Sequence, residues 1–176
     1  MAITRLNNNS ITSVTALPSG VATGKIGQII MVEQPATVDI ASTSYVDISG
    51  LSVSITPTST SSKIFISVYM NPSHSVGGSF HFVKLLRDST AISIGQSAGA
   101  GTRDRTTFGG YNTYGPYNMG VNISYLDSPS TTSSTTYKLQ ARVSGNTFHL
   151  NKDGDDADSS NRMRLSSNIT VMEVLP

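Results

Sequence analysis

Cysteine is absent, which excludes a disulfide framework and any thiolate metal site. Charge is scarce. Asp, Glu, Lys and Arg make up 13% of the chain and the net charge is +1, too little field to gather nucleic acid or an acidic partner. Histidine occurs three times, at positions far apart in the chain. No apolar run approaches the roughly 18 residues that would suggest a membrane-spanning helix. The opening stretch MAITRLNNNSITSV has no apolar core of signal-peptide length, so export by that route is not expected. A His-Glu-x-x-His pair and a phosphate loop are missing, and with them common signatures of zinc peptidases and nucleotide enzymes. Nor does any segment of helical length carry a 3.6-residue apolar period.

What fills the chain instead is serine and threonine, roughly a quarter of its residues and well above the usual share, threaded through alternating apolar positions. Threonine's β-branch suits a pleated surface. In LSVSIT (51–56) Leu51, Val53 and Ile55 face one way and the hydroxyl residues the other. TYKLQARVS (136–144) alternates as cleanly. IGQIIMVE (26–33), SYVDIS (44–49), KIFISVYM (63–70), SFHFVKLLR (79–87), AISIG (91–95), MGVNISYLD (119–127), TFHLN (147–151) and SNITVMEVLP (167–176) complete about ten strands at the spacing of a sandwich or barrel. Gly145-Asn146 predicts a hairpin between two of them. The chain's 176 residues suffice for one core. The expectation is an all-β, single jelly-roll sandwich over 26–176, its first and last strands paired in the middle of one sheet. An extended N-terminal arm, residues 1–25, precedes it and is too poor in apolar residues for a core of its own. KIFISVYM and NITVMEV carry apolar residues on both faces, which a small two-sheet monomer cannot bury, so a homo-oligomer is expected.

Candidate sites are few. In FGGYNTYGPYN (108–118), Tyr111, Tyr114 and Tyr117 recur every three residues beside Asn112 and Asn118. Tyrosine among glycine and asparagine is the composition of adaptable recognition loops, and sugars stack on such rings. The competing reading packs these rings on their own sheet or across a subunit contact. NKDGDDADSSN (151–161) sets Asp153, Asp155, Asp156 and Asp158 close together, as a calcium ion prefers, but without the spacing or terminal Glu of an EF-hand. The ordinary alternative is a solvated turn. His81 and His149 sit inside strands and read as structural. The hydroxyl runs TPTSTSS (56–62) and SPSTTSST (128–135) read as tight, uncharged turns without a catalytic group. No cofactor is indicated beyond that calcium. With eleven Asp and Glu in all, most of them in turns, the paired carboxylates of a glycan-cleaving enzyme are not expected, and the chain is read as no enzyme.

The strings TSYVDISGLSVSITPTSTSSKIFISVYM, FVKLLRDSTAISIG, NISYLDSPSTTSSTTYKLQARVSGNTFHLN and SSNITVMEV resemble a domain recurrent in structural proteins of tailed bacteriophages, many of them marine. The opening MAITRLNNNSITSVTALPSGVATGKIGQ is similar to the start of many such proteins. The strand order and the final ITVMEV resemble the C1q/tumour-necrosis-factor jelly roll, a homotrimer. The resemblance implies a virion structural protein, a tail fibre or appendage, assembled in the host cytoplasm. Its arm (Arg5, Leu6, Ile11, Val14, Leu17) would dock on other virion proteins. Its head would bind a host-surface glycan or protein, without nucleic-acid binding or membrane insertion. A capsid decoration protein that stabilises the head shell is the alternative.

Overall fold

The computed structural model describes residues 25–75, 77–112 and 117–176, with the backbone alone at 112. The particle-docking arm therefore lies outside the described residues. Among those described there is no helix, and every strand pairing is antiparallel. Four strands form one sheet in the order β1 (Ile26–Gln34), β12 (Ser167–Val174), β4 (Lys63–Met70), β9 (Val121–Asp127). A second sheet runs β3 (Val46–Ile55), β10 (Thr135–Val143), β6 (Ser79–Arg87), with β7 (Thr90–Ile92) and β8 (Phe108–Asn112) sharing the far side of β6. A small third sheet, β2 (Val38–Ile40), β11 (Phe148–Leu150), β5 (Pro72–His74), closes one end. Counting only the eight strands of five residues or more, the two large sheets have the orders 1-8-3-6 and 2-7-4-5, the jelly-roll connectivity.

Alternation in the sequence becomes the core. Ile64, Ile66, Val68 and Met70 of β4 and Ile169 and Val171 of β12 are fully buried. They meet Leu51, Val53 and Ile55 of β3, Val83 and Leu85 of β6, and Tyr137, Leu139, Ala141 and Val143 of β10 in one cluster. Each such Ile, Leu or Val side chain contributes about 1.5–3 kcal/mol on leaving water.

The first and last strands pair as expected, Ile30 opposite Val171, but only β12 is internal. β1 is the edge, because its other side turns toward β3 instead of toward another strand of its own sheet. There Gln34 Nε2 donates to Ser49 O at 2.6 Å and Gln28 Nε2 to Thr56 O at 2.8 Å. Gly50 leaves room for the first of these contacts. Its φ of +80° is in the left-handed region, and a Cβ there would sit 2.2 Å from Gln34 Nε2. The same residue fuses the two segments expected at 44–49 and 51–56 into one bulged strand, β3, whose pairing with β10 jumps between Lys138 and Gln140.

Gly145-Asn146 does not close a hairpin. Asn146 takes a φ of 58°, but the chain leaves the large sheet and β11 pairs with β2 and β5. Phe148 and Leu150 thereby cap the core, both fully buried, a demand of tertiary packing that overrides the local turn signal.

The first hydroxyl run holds a buried carboxylate. Glu173 is fully buried on the inner face of β12. Its Oε1 accepts from Thr58 N at 2.6 Å and Thr58 Oγ1 at 2.8 Å, and its Oε2 from Gln28 Nε2 at 2.8 Å. Burial pushes its pKa up, and these donors outweigh burial and hold it at about 2. Beside the second run, buried Asp127 accepts from Arg87 Nη1 at 3.0 Å and from the Tyr137 hydroxyl at 2.7 Å. That contact links the two large sheets at the same end.

Candidate functional site

Side chains alternate across β6 and β10, so Phe80, Phe82 and Lys84 stand on the outer face beside Lys138, Gln140 and Arg142. Register places Arg142 opposite Phe82, and Phe82 opposite Gly109 of β8. One step along, Phe80 faces Tyr111. The result is a row of rings. Phe80 and Tyr111 have centroids 4.6 Å apart, and Phe80 stacks on Phe82 at 6.1 Å. Phe80 and Tyr111 are each 48% exposed, high for rings in a paired strand. The Arg142 guanidinium lies 4.0 Å over the Phe82 ring, a cation–π contact.

The segment between β7 and β8 folds over this row. Asp104 accepts from Arg142 Nε at 2.8 Å and the Tyr45 hydroxyl at 2.7 Å, with Lys84 Nζ at 3.4 Å. Burial raises the Asp104 pKa, but these donors prevail and hold it below the usual carboxylate range. Burial and the Asp104 carboxylate push the Tyr45 hydroxyl the other way, so it stays protonated and donates. Arg103 closes its own loop, Nε to Ala100 O at 3.0 Å and Nη2 to Gly99 O at 2.8 Å. Phe80, Phe82, Thr102, Arg103, Asp104 and Arg142 together line an open groove of about 410 Å³.

Of the tyrosine-loop residues, Tyr111 belongs to this surface. Asn112 continues β8 opposite Ser79, and Tyr114 lies outside the described residues. Tyr117 is exposed. Asn118 packs elsewhere: its amide nitrogen, correctly oriented, donates to Lys152 O at 2.9 Å and its oxygen accepts from Asp153 N at 3.2 Å. That amide ties the tyrosine loop to the acidic one.

In the acidic loop the carboxylates meet cationic side chains. Asp155 pairs with Arg162, and Asp156 with Arg164 at 2.6 Å and Lys152 at 3.6 Å. Asp153 accepts from Asp156 N at 2.8 Å and faces Arg162 at 3.5 Å. Asp158 is exposed. Among the described residues no three His, Asp or Glu side chains converge as a metal site would need.

The histidines are closer than their spacing suggests. His74 Nε2 and His81 Nδ1 lie 2.6 Å apart, both residues buried. His149, on the neighbouring β11, pairs through Nδ1 with Asp39 at 2.7 Å. Gly110 faces His81 across β8, and a Cβ there would sit 2.8 Å from its ring. Burial, and to a lesser degree His74, draw the His81 pKa down to about 4. Burial lowers His74 also. Burial favours the neutral form of both rings, and one of them donates its N–H to the other. His74 Nδ1 and His81 Nε2 have no partner among the described residues.

The sequence pointed to Tyr111 but missed Phe80, Phe82, Asp104 and Arg142. Alternation in SFHFVKLLR gives Phe80 and Phe82 the face of Lys84, a usable signal. The contribution of Asp104 follows only from the fold. No protein-family model matches this chain, and no curated protein matches it.

Proposed function

We propose that this chain is a non-enzymatic structural protein of a bacteriophage virion, a homotrimeric fibre or appendage. Its arm docks on the particle and its jelly-roll head binds a receptor on the host surface. The observation that carries this reading is the outer face of the β1-β12-β4-β9 sheet. One row across all four strands is apolar: Ile29, Met172, Phe65 and Leu126. Met31 stands one row along, 60% exposed, with Ile29 at 58% and Leu126 at 47%. An apolar row spanning a whole sheet is a surface built to be covered. Charge on this face is confined to Glu33 and Lys63 at its margins, so like copies do not repel across it. The phage-like strings and the trimeric jelly roll they resemble supply the biological setting.

The test takes purified full-length protein to host cells and to empty capsids. A fibre head binds the cells as a trimer. Binding to capsids, with a rise in their heat stability and no cell binding, identifies a decoration protein and overturns the fibre reading.

A further inference from the structure

The groove over β6 and β10 has a chemistry of its own. Its floor is aromatic, Phe80 and Phe82, extended by Tyr111. Its polar wall is Arg103, Arg142, Thr102 and Asp104. Asp104 is already met by Tyr45, Arg142 and Lys84, so it offers little negative charge to a ligand. The cations retain capacity. Arg142 meets Asp104 through Nε and also the Tyr45 hydroxyl, while Arg103 keeps Nη1, so donors remain on the groove wall for a ligand. The groove therefore presents a ring floor under a cationic, donor-rich wall.

Resting on the reading of the chain as a receptor-binding head, we infer that this groove binds an acidic sugar. The pyranose face would stack on Phe80 and Tyr111, and the carboxylate would be held by Arg103 and Arg142. Guanidinium forks suit a carboxylate because charge-assisted pairs are about twice as strong as neutral hydrogen bonds. A neutral sugar leaves those donors without an anion. An apolar peptide leaves them desolvated. The volume, about 410 Å³, lies at the small end of the range for ligand sites, which suits one or two sugar rings. A nucleic-acid strand needs a long cationic track, and a net charge of +1 does not supply one.

Titration calorimetry of the full chain tests this with four probes: oligogalacturonate, sialyllactose, lactose as neutral control, and a short oligothymidine. At least one acidic sugar should bind, about tenfold or more tighter than lactose and more weakly as salt rises. Phe80→Ala should weaken that binding by about tenfold through lost stacking. Arg103→Glu, on an exposed loop, should abolish the preference for the acidic probe. Unchanged melting temperatures in both variants keep the loss assigned to the groove. Failure of both acidic sugars to bind, oligothymidine binding more tightly than either, or equal affinity in both variants overturns the inference. If the acidic sugars fail while the protein still binds host cells, only the groove assignment falls. Variant-sensitive sugar binding without cell binding leaves the groove standing and removes the fibre reading.

Discussion

On the outer face of the β3-β10-β6 sheet, Lys138 and Gln140 both close on Asp47 at 2.8 Å, Ser54 meets Thr136 at 2.8 Å, and Arg142 meets Asp104. These rows are polar pairs or ring–cation contacts, and the exposed Phe80–Tyr111 ring pair is the exception. On the outer face of the β1-β12-β4-β9 sheet the corresponding positions are Ile29, Met172, Phe65 and Leu126. The inner faces also differ. The β3-β10-β6 sheet puts His81 inside and the β1-β12-β4-β9 sheet puts Asp127 and Glu173 inside. A sheet whose outer side chains satisfy each other is finished in water. The β1-β12-β4-β9 sheet carries one apolar row beside rows of Thr170, Ser67 and Ser124 and of Asn168 and Asn122, and in the proposed assembly that apolar row is covered by another copy. The two halves of one small sandwich thus differ in surface chemistry, with recognition proposed for one and assembly for the other.

The contrast breaks most sharply under a single charge. Met172→Glu, in the middle of the apolar row, should dissociate the proposed trimer, since an unpaired charge in a covered contact costs about 3–5 kcal/mol. The matched Thr136→Glu on the other sheet should leave the sedimentation coefficient unchanged. Next comes the inner face of the β1-β12-β4-β9 sheet. Asp127→Ala leaves Arg87 and the Tyr137 hydroxyl without their acceptor and should cost about 3 kcal/mol by denaturant unfolding. Acid should separate the sheets by pH. The folded pKa of His81 lies at about 4, below its ordinary 6.5. The unfolded chain therefore binds the extra proton, and stability falls as pH drops from 6.5 toward 4. Glu173 is held at about 2 against 4.5, so its contribution is lost only between those lower values. Replacing the pair, His74→Leu with His81→Phe, should flatten the upper limb and leave the lower one, read from melting temperature against pH. The smallest effect belongs to the exposed Lys138–Asp47 pair: Lys138→Met should change stability by less than about 1 kcal/mol.

Much of the fold is legible in the sequence because alternation is a local signal. TYKLQARVS became β10 with its apolar residues fully buried. What was not legible depends on distant partners. Val38–Ile40 and Pro72–His74 are too short to announce themselves as strands and exist because β11 lies between them. Gly50 looked like a break between strands and is a bulge, since Gln34 occupies the space a side chain would take. TPTSTSS looked chemically idle; Thr58 within it donates twice to a carboxylate 115 residues away. The candidate surface was half visible. Tyr111 stood out by composition, while Asp104 joined it only once the loop after β7 folded back over β6 and β10. The tyrosine loop's Tyr114 lies outside the described residues.

The most direct measurement is the mass of the purified full-length chain in solution at micromolar concentration, by sedimentation equilibrium. Coverage of the apolar row by copies of the chain predicts a multiple of the 18.6 kDa chain mass, three times it for the proposed trimer, unchanged by moderate salt because the contact is apolar. A species that stays at the mass of one chain would contradict it.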